Sequence, residues 1–269
     1  TAISSTVESA CQDCGIGKYS STLAAAQESS CIDCPGGKYG AGFGLKTTND
    51  CIDCTKGNFQ DVSGLTSCKQ CGKGQYIDEN KATACKNCIK GTWSDQVAQP
   101  ATSTCTKCGK GKWSDQESQT SITVCKDCPI ATYSSTLGAQ DQSTCLLCNA
   151  GKSSNVVGTS VSDCEACVAG KYQNAPGQTE CTECVAGQYN SDTNAIKCND
   201  CLTGRFGKAQ GLAQNCPVCP SGYFQDQNAQ INCDKCGVGK YQSSEGEDGC
   251  MKCEIGKHND VTGASNCKD

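Results

Sequence analysis

Pairs of cysteines two residues apart recur along almost the whole of this 269-residue chain, and no other feature restricts its folding so strongly. The CxxC pairs begin at Cys11, Cys31, Cys51, Cys68, Cys85, Cys105, Cys125, Cys145, Cys164, Cys181, Cys198, Cys216, Cys233 and Cys250, and Cys267 stands one interval further on. The intervals are 17 to 20 residues. A period of that size marks stacked repeats, each too small to bury a core alone. Composition sharpens the point. Cysteine numbers 29, while Leu, Ile, Val and Phe together number only 35. That is about 13% of the chain, against the roughly 20% below which apolar burial fails to fold a domain. A single large hydrophobic core is excluded, and a covalent or metallic staple must replace it.

Each pair opens the same signature, C-x-x-C-x-x-G-x-aromatic. Glycine stands three residues after the second cysteine in 13 of 14 repeats, with Ala131 the exception. Twelve of the 14 aromatics fall two residues later, Ser153 and His258 being the departures. A further glycine follows the aromatic slot by five residues in eight repeats, at Gly44, Gly64, Gly138, Gly158, Gly177, Gly211, Gly246 and Gly263. The pattern predicts a tight turn, a short extended arm starting at the aromatic, a second turn, and a return arm to the next pair. The ring is expected to lie on a disulfide and the turn of the next repeat, contributing about 1.5–3 kcal/mol. Residues 23–26 are the only candidate helix, too short to hold alone. The aromatic precedes the next cysteine by 12 places in long repeats (Tyr19 to Cys31) and 9 in short ones (Phe59 to Cys68), which predicts a fixed base and a variable tip. The fold class expected is an elongated, solenoid-like rod of small disulfide-rich repeats, made of short β-hairpins and irregular loops, with almost no helix and no central core. Residues 1–10 are expected to end a preceding repeat or form a lead, 11–266 to hold fourteen tandem repeats, and 267–269 to start a fifteenth. The chain is accordingly expected to be part of a longer repetitive protein.

The spacing C-x2-C-x13–16-C-x2-C is close to that of a four-cysteine zinc site. Zinc would join pairs two by two, yet alternate intervals do not differ systematically. Equivalent repeats favour a ladder in which the second cysteine of one pair bonds the first of the next: Cys14 with Cys31, Cys34 with Cys51, Cys54 with Cys68, Cys71 with Cys85, Cys88 with Cys105, Cys108 with Cys125, and Cys128 with Cys145. It continues as Cys148 with Cys164, Cys167 with Cys181, Cys184 with Cys198, Cys201 with Cys216, Cys219 with Cys233, Cys236 with Cys250, and Cys253 with Cys267, leaving Cys11 to pair upstream. Each closed loop is worth about 3 kcal/mol through the unfolded state. A crossed pattern, first to third and second to fourth, uses as many cysteines and stays open alongside zinc. A thioredoxin-like dithiol role does not fit fourteen motifs without a βαβ setting.

The net charge is −5, and 22 of the 23 basic residues are lysine. With Arg205 the only guanidinium, nucleic acid is not an expected partner. No apolar run reaches the roughly 20 residues needed to cross a bilayer. His258 is the only histidine and occupies an aromatic slot, so no catalytic residue, metal ligand or cofactor site is expected. Asp13, Asp33 and Asp53 are expected to bond turns rather than metal. No N-x-Ser/Thr acceptor occurs, while 26 serines and 23 threonines leave O-glycosylation of exposed loops open.

The unit Cys34-Pro35-Gly36-Gly37-Lys38-Tyr39, closed by Cys51-Ile52-Asp53-Cys54, resembles the ephrin-receptor-like cysteine-rich repeat. It is also similar to the small module of tumour-necrosis-factor receptors, stapled by one bond from its first cysteine to its last. The resemblance covers residues 11–269 and implies the ladder. Such repeats occur in receptor ectodomains and in large surface proteins of protists and algae. The likeness implies an extracellular, elongated, often interaction-bearing array, with no activity and no transferable ligand site. Two functions are expected on this basis. One is a non-enzymatic structural component, a rod, stalk or filament subunit, that associates with itself. The other is a receptor-like or adhesive ectodomain meeting proteins or glycans through its hairpin tips.

Overall fold

The computed structural model describes residues 13–22 and 28–269. The expectations for residues 1–10, for Cys11 and for a helix over 23–26 lie outside these. The chain divides into two compact units, one formed by Thr1–Asp127 with Thr136–Thr144, the other by Cys128–Ser135 with Cys145–Asp269.

Both units are built from one motif. The residue after the glycine and the aromatic form a two-residue strand, which pairs antiparallel with the two residues inside the next CxxC. In the first unit Phe59 faces Lys69 and Asn58 faces Gln70. In the second, Tyr172 faces Thr182 and Lys171 faces Glu183. Among the described residues there are twelve such hairpins, and no sheet has more than two strands. Repeat 11 keeps only a single bridge, Arg205 to Val218. Pro217 explains this, because it lacks the N–H a second rung requires.

The second cysteine of each pair is bonded to the first of the next, through fourteen disulfides with Cα–Cα distances of 5.5–5.9 Å. These sulfurs are the interior. Among the described residues, eighteen of the twenty-two buried apolar ones are cysteines, and Ile77 is the one large aliphatic among them. Phe59 and Cys85 both pack against a cluster of Cys71, Ile77 and Ala82, which places the ring against the hydrophobic centre of the following repeat.

Backbone hydrogen bonds fasten each repeat to the next in a fixed pattern. In the second unit the N–H of Gly170 donates to the carbonyl of Asn190, Cys184 to Gly170, Asn194 to Cys167, and Gln173 to Ala195. The first unit repeats the set: Gly57 to Ile77, Cys71 to Gly57, Lys81 to Cys54, and Gln60 to Ala82. Docking also reaches two repeats ahead. A Cβ on Gly187 would lie 2.1 Å from the carbonyl oxygen of Ala229, and one on Gly57 would lie 2.2 Å from that of Ala98. The signature glycine therefore answers two demands, a positive φ and a backbone seated against its face.

The second turn has its own left-handed residue. At the slot five beyond the aromatic, φ is positive at Gly44, Gly64, Gly138, Gly177, Gly211, Gly246 and Gly263, and equally at Lys81, Ala98, Ser118, Asn194 and Ala229. Gly158 departs from this series. Its repeat is 19 residues long where its three predecessors have 20, and the missing residue shifts Gly158 one place, where its carbonyl accepts from Ser134. Ala131 takes positive φ in the signature slot and is buried.

The slot after the aromatic is buried, and it is polar. Gln60, Ser94, Ser114, Ser134, Ser154, Gln173, Asn190, Gln225, Gln242 and Asn259 stand there. Its identity follows repeat length except in repeats 4 and 11, short repeats that carry Ile77 and Gly207 there. In the other short repeats the amide fills the space and bonds: Gln173 Nε2 donates to Glu180 O at 2.8 Å, and Oε1 accepts from Ala175 N at 3.2 Å. Gln60, Gln225 and Gln242 make the same pair of bonds, always to the carbonyl just before the next cysteine. Long repeats hold serine or glycine instead, and their three extra residues form a turn directly before that cysteine. It is a 3₁₀ turn at Glu28–Ser30, Thr102–Thr104, Ile122–Val124, Gln142–Thr144 and Val161–Asp163. The variable length thus lies at the foot of the return arm, against the disulfide, and not at the tip that the spacing predicted.

Candidate interaction surface

With the sulfurs inside, whatever a repeat offers to a partner is carried on three exposed places: the hairpin face, the tip, and the turn between the second cysteine and the signature glycine. That last turn is the most regular. Gln188 N donates to Val185 O and Lys112 N to Gly109 O, three residues apart, with Gly187 and Gly111 at positive φ. This is a type II turn, which requires φ above zero at its third residue. Its second residue stands at the corner, in solvent.

On the hairpin face, cross-strand partners neutralise one another. Lys38 Nζ lies 2.8 Å from Asp53, and Lys171 Nζ lies 3.3 Å from Glu183. Diagonal pairs join Lys69 to Asp61 at 2.6 Å and Lys86 to Asp78 at 2.7 Å. Hydrogen bonds from Lys38, Lys69, Lys86 and Lys126 hold the carboxyls of Asp53, Asp61, Asp78 and Asp115, respectively, below the ordinary value of 3.8. Asp50, Asp141 and Asp163 are lowered as well, mainly by bonds within their own turns. Lysine also covers rings: Lys126 Nζ is 4.6 Å from the Trp113 centroid and Lys69 Nζ is 5.9 Å from that of Phe59. The face is therefore charged yet internally paired.

The structure distributes the other residues named from sequence as follows. Asp33 and Asp53 face lysines across hairpins, while Asp13 lies beside Gly44 of the next repeat. His258 is joined to Lys268 by a reciprocal pair of backbone bonds. Among the described residues, no three His, Cys, Asp or Glu side chains gather as metal ligands would. Where Ser153 replaces the ring, its Oγ rests 3.3 Å from Cys181 Sγ. The space is an open hollow of about 300 Å³, lined by Ser153, Glu165, Val168, Lys171, Thr179 and Cys181.

Residues 42–88 and 155–201 match the family model described as tyrosine-protein kinase ephrin type A/B receptor-like. These two stretches are ephrin-receptor-like cysteine-rich repeats. Each matched stretch contains two complete 17-residue repeats and the next cysteine pair. No curated protein matches the chain. The ephrin-receptor-like family is a receptor-type cysteine-rich module, and together with the disulfides it points to an extracellular chain. No helix among the described residues is long and apolar enough to cross a membrane.

The corner turns of these repeats differ by block. From repeat 9 onward, with repeat 12 (Pro220-Ser221) excepted, they present aliphatic groups: Val168, Val185 and Leu202 before the corner, then Val238 and Ile255 at it. All are more than half exposed, Val168 at 58% and Leu202 at 61%. In repeats 3 to 6 the corner itself is instead Lys56, Lys73, Lys90 and Lys110, with Ile89 exposed just before Lys90. Sequence reasoning passed over both columns, although each is visible once the repeats are superposed on the signature glycine.

Proposed function

We propose that the chain is a non-enzymatic, extracellular structural protein, an array of stapled repeats that forms a rod, stalk or filament subunit at a cell surface. One observation carries this reading: repeats seat on the next, and most of their signature glycines on the one after, through the same backbone contacts, around an interior of disulfides and one buried slot per repeat. Such units are additive, so repeat number sets extent. The exposed aliphatic groups at the corner turns of five of the last six repeats support self-association, because a partner with matching apolar groups is most simply another copy of the same array. Negative-stain images and sedimentation test both parts. The expected result is an extended particle that bundles as concentration rises, and that stays single when Val185 and Leu202 are replaced by Asp. A compact particle, or bundling unaffected by those substitutions, overturns the reading.

A further inference from the structure

We infer that the corner lysines of repeats 3 to 6 form a binding track for a linear anionic polysaccharide. Lys56, Lys73, Lys90 and Lys110 occupy one structural position, the second residue of the type II turn, in four consecutive repeats. All four are exposed. Among the described residues none of them takes part in an ion pair, whereas Lys69, Lys81, Lys86, Lys112 and Lys126 of the same unit all do. Of the carboxylates that act on them, Asp78 and Asp115 are already committed to Lys86 and Lys126, while Asp141, which acts on Lys90, bonds Ser143. Residues 51–124 hold nine lysines against seven carboxylates in a chain whose net charge is −5, so this block is basic on an acidic molecule.

The arrangement selects its ligand. Backbone bonds between successive turns, Gly57 to Ile77, Gly74 to Ser94 and Gly91 to Ser114, hold the four ammonium stems one per repeat. A row of point charges without a pocket suits a chain that carries an anion on every sugar. It does not suit a compact anion, which needs convergent donors. Lysine requires no bidentate geometry and takes sulfate or carboxylate alike, while bases and phosphodiesters are better gripped by arginine, absent from this unit. This inference rests on the surface of the first unit alone and does not depend on filament formation.

Binding of the oxidised chain to immobilised dextran sulfate, polygalacturonate and uncharged dextran tests it, with duplex DNA and phosphatidylserine vesicles as competing classes. A polysaccharide polyanion is expected to bind with affinity falling steeply with salt, as charge-driven association does. The variant Lys56→Gln/Lys73→Gln/Lys90→Gln/Lys110→Gln is expected to lose about tenfold in affinity and to show a shallower salt dependence. A control variant with four scattered lysines replaced, Lys197→Gln/Lys208→Gln/Lys235→Gln/Lys252→Gln, has the same net charge and is expected to keep wild-type binding. The sulfate and carboxylate arms distinguish the two sources of anion. Equal loss in both variants, tighter binding to DNA or vesicles, or no polysaccharide binding at physiological salt overturns the assignment. Unchanged melting temperatures ensure that the comparison reads the surface and not the fold.

Discussion

At the scale of single residues, two slots decide whether repeats can stack. Gly187 and Gly239 share a signature position and a positive φ, but a Cβ on Gly187 would meet Ala229 O at 2.1 Å while one on Gly239 would meet nothing within 4 Å. Gly239→Ala is therefore expected to cost about 1 kcal/mol, the conformational term alone. Gly187→Ala adds a backbone clash and is expected to cost about 3 kcal/mol or more, read as a lower melting temperature and a lower yield of correctly oxidised protein. The opposite change is available at the second turn. Ala229 holds φ 59 where other repeats use glycine, so Ala229→Gly is expected to stabilise by about 0.5–1 kcal/mol in a thermal melt. The signature glycine was legible because only glycine fits both demands. The left-handed state of Lys81, Ala98, Ser118 and Ala229 was not, since nothing in those side chains favours it and the surrounding contacts impose it.

Within the single hairpin, length and chemistry are exchanged. Most long repeats close with a 3₁₀ turn above a serine and most short ones with a buried amide; Gly40 in a long repeat and Ile77 and Gly207 in short ones are the exceptions. Deleting residues 102–104 from repeat 5 is thus expected to leave the carbonyl ahead of Cys105 unpaired beside Ser94, a loss of about 1–3 kcal/mol. Ser94→Gln in the same chain is expected to restore stability, because its amide then reaches that carbonyl as Gln173 reaches Glu180. The hairpin ion pairs set a pH response. Their carboxyls titrate below 3.8 in the folded chain, so their contribution is fully present above that value and is lost as pH falls through the lowered one. Melting temperature is expected to be flat from pH 5 to 8 and to decline only in stronger acid, by a small amount because the pairs are exposed. Hairpins, turns and the lack of helix could be read from glycine and aromatic spacing. The polar interior slot could not be read from hydropathy, since Gln, Asn, Ser, Gly and Ile share none. Its signal was a covariation between slot identity and repeat length.

For the whole molecule, the absence of an aliphatic core means that sulfur chemistry carries the fold. Complete reduction without denaturant is expected to expand each unit and abolish its near-ultraviolet dichroism, with scattering showing the larger radius; a compact reduced chain would contradict this. Composition alone announced that outcome, because 35 large aliphatic and phenylalanine residues cannot fill two units, and 25 large hydrophobics are indeed exposed. The surface was less legible. Its lysine and aliphatic columns lie at one turn corner and are separated in sequence by whole repeats, so each looks scattered until the fold aligns them.

Seating across two repeats also bears on how such a chain matures. The backbone that covers Gly17 belongs to Gly64, and that covering Gly187 belongs to Ala229, so each hairpin is locked only after some forty further residues have followed it. A nascent chain entering an oxidising compartment consequently trails a moving window of loosely held cysteines behind a finished portion. Oxidase and isomerase have that window, and little beyond it, in which to exchange wrong partners before the next seat closes.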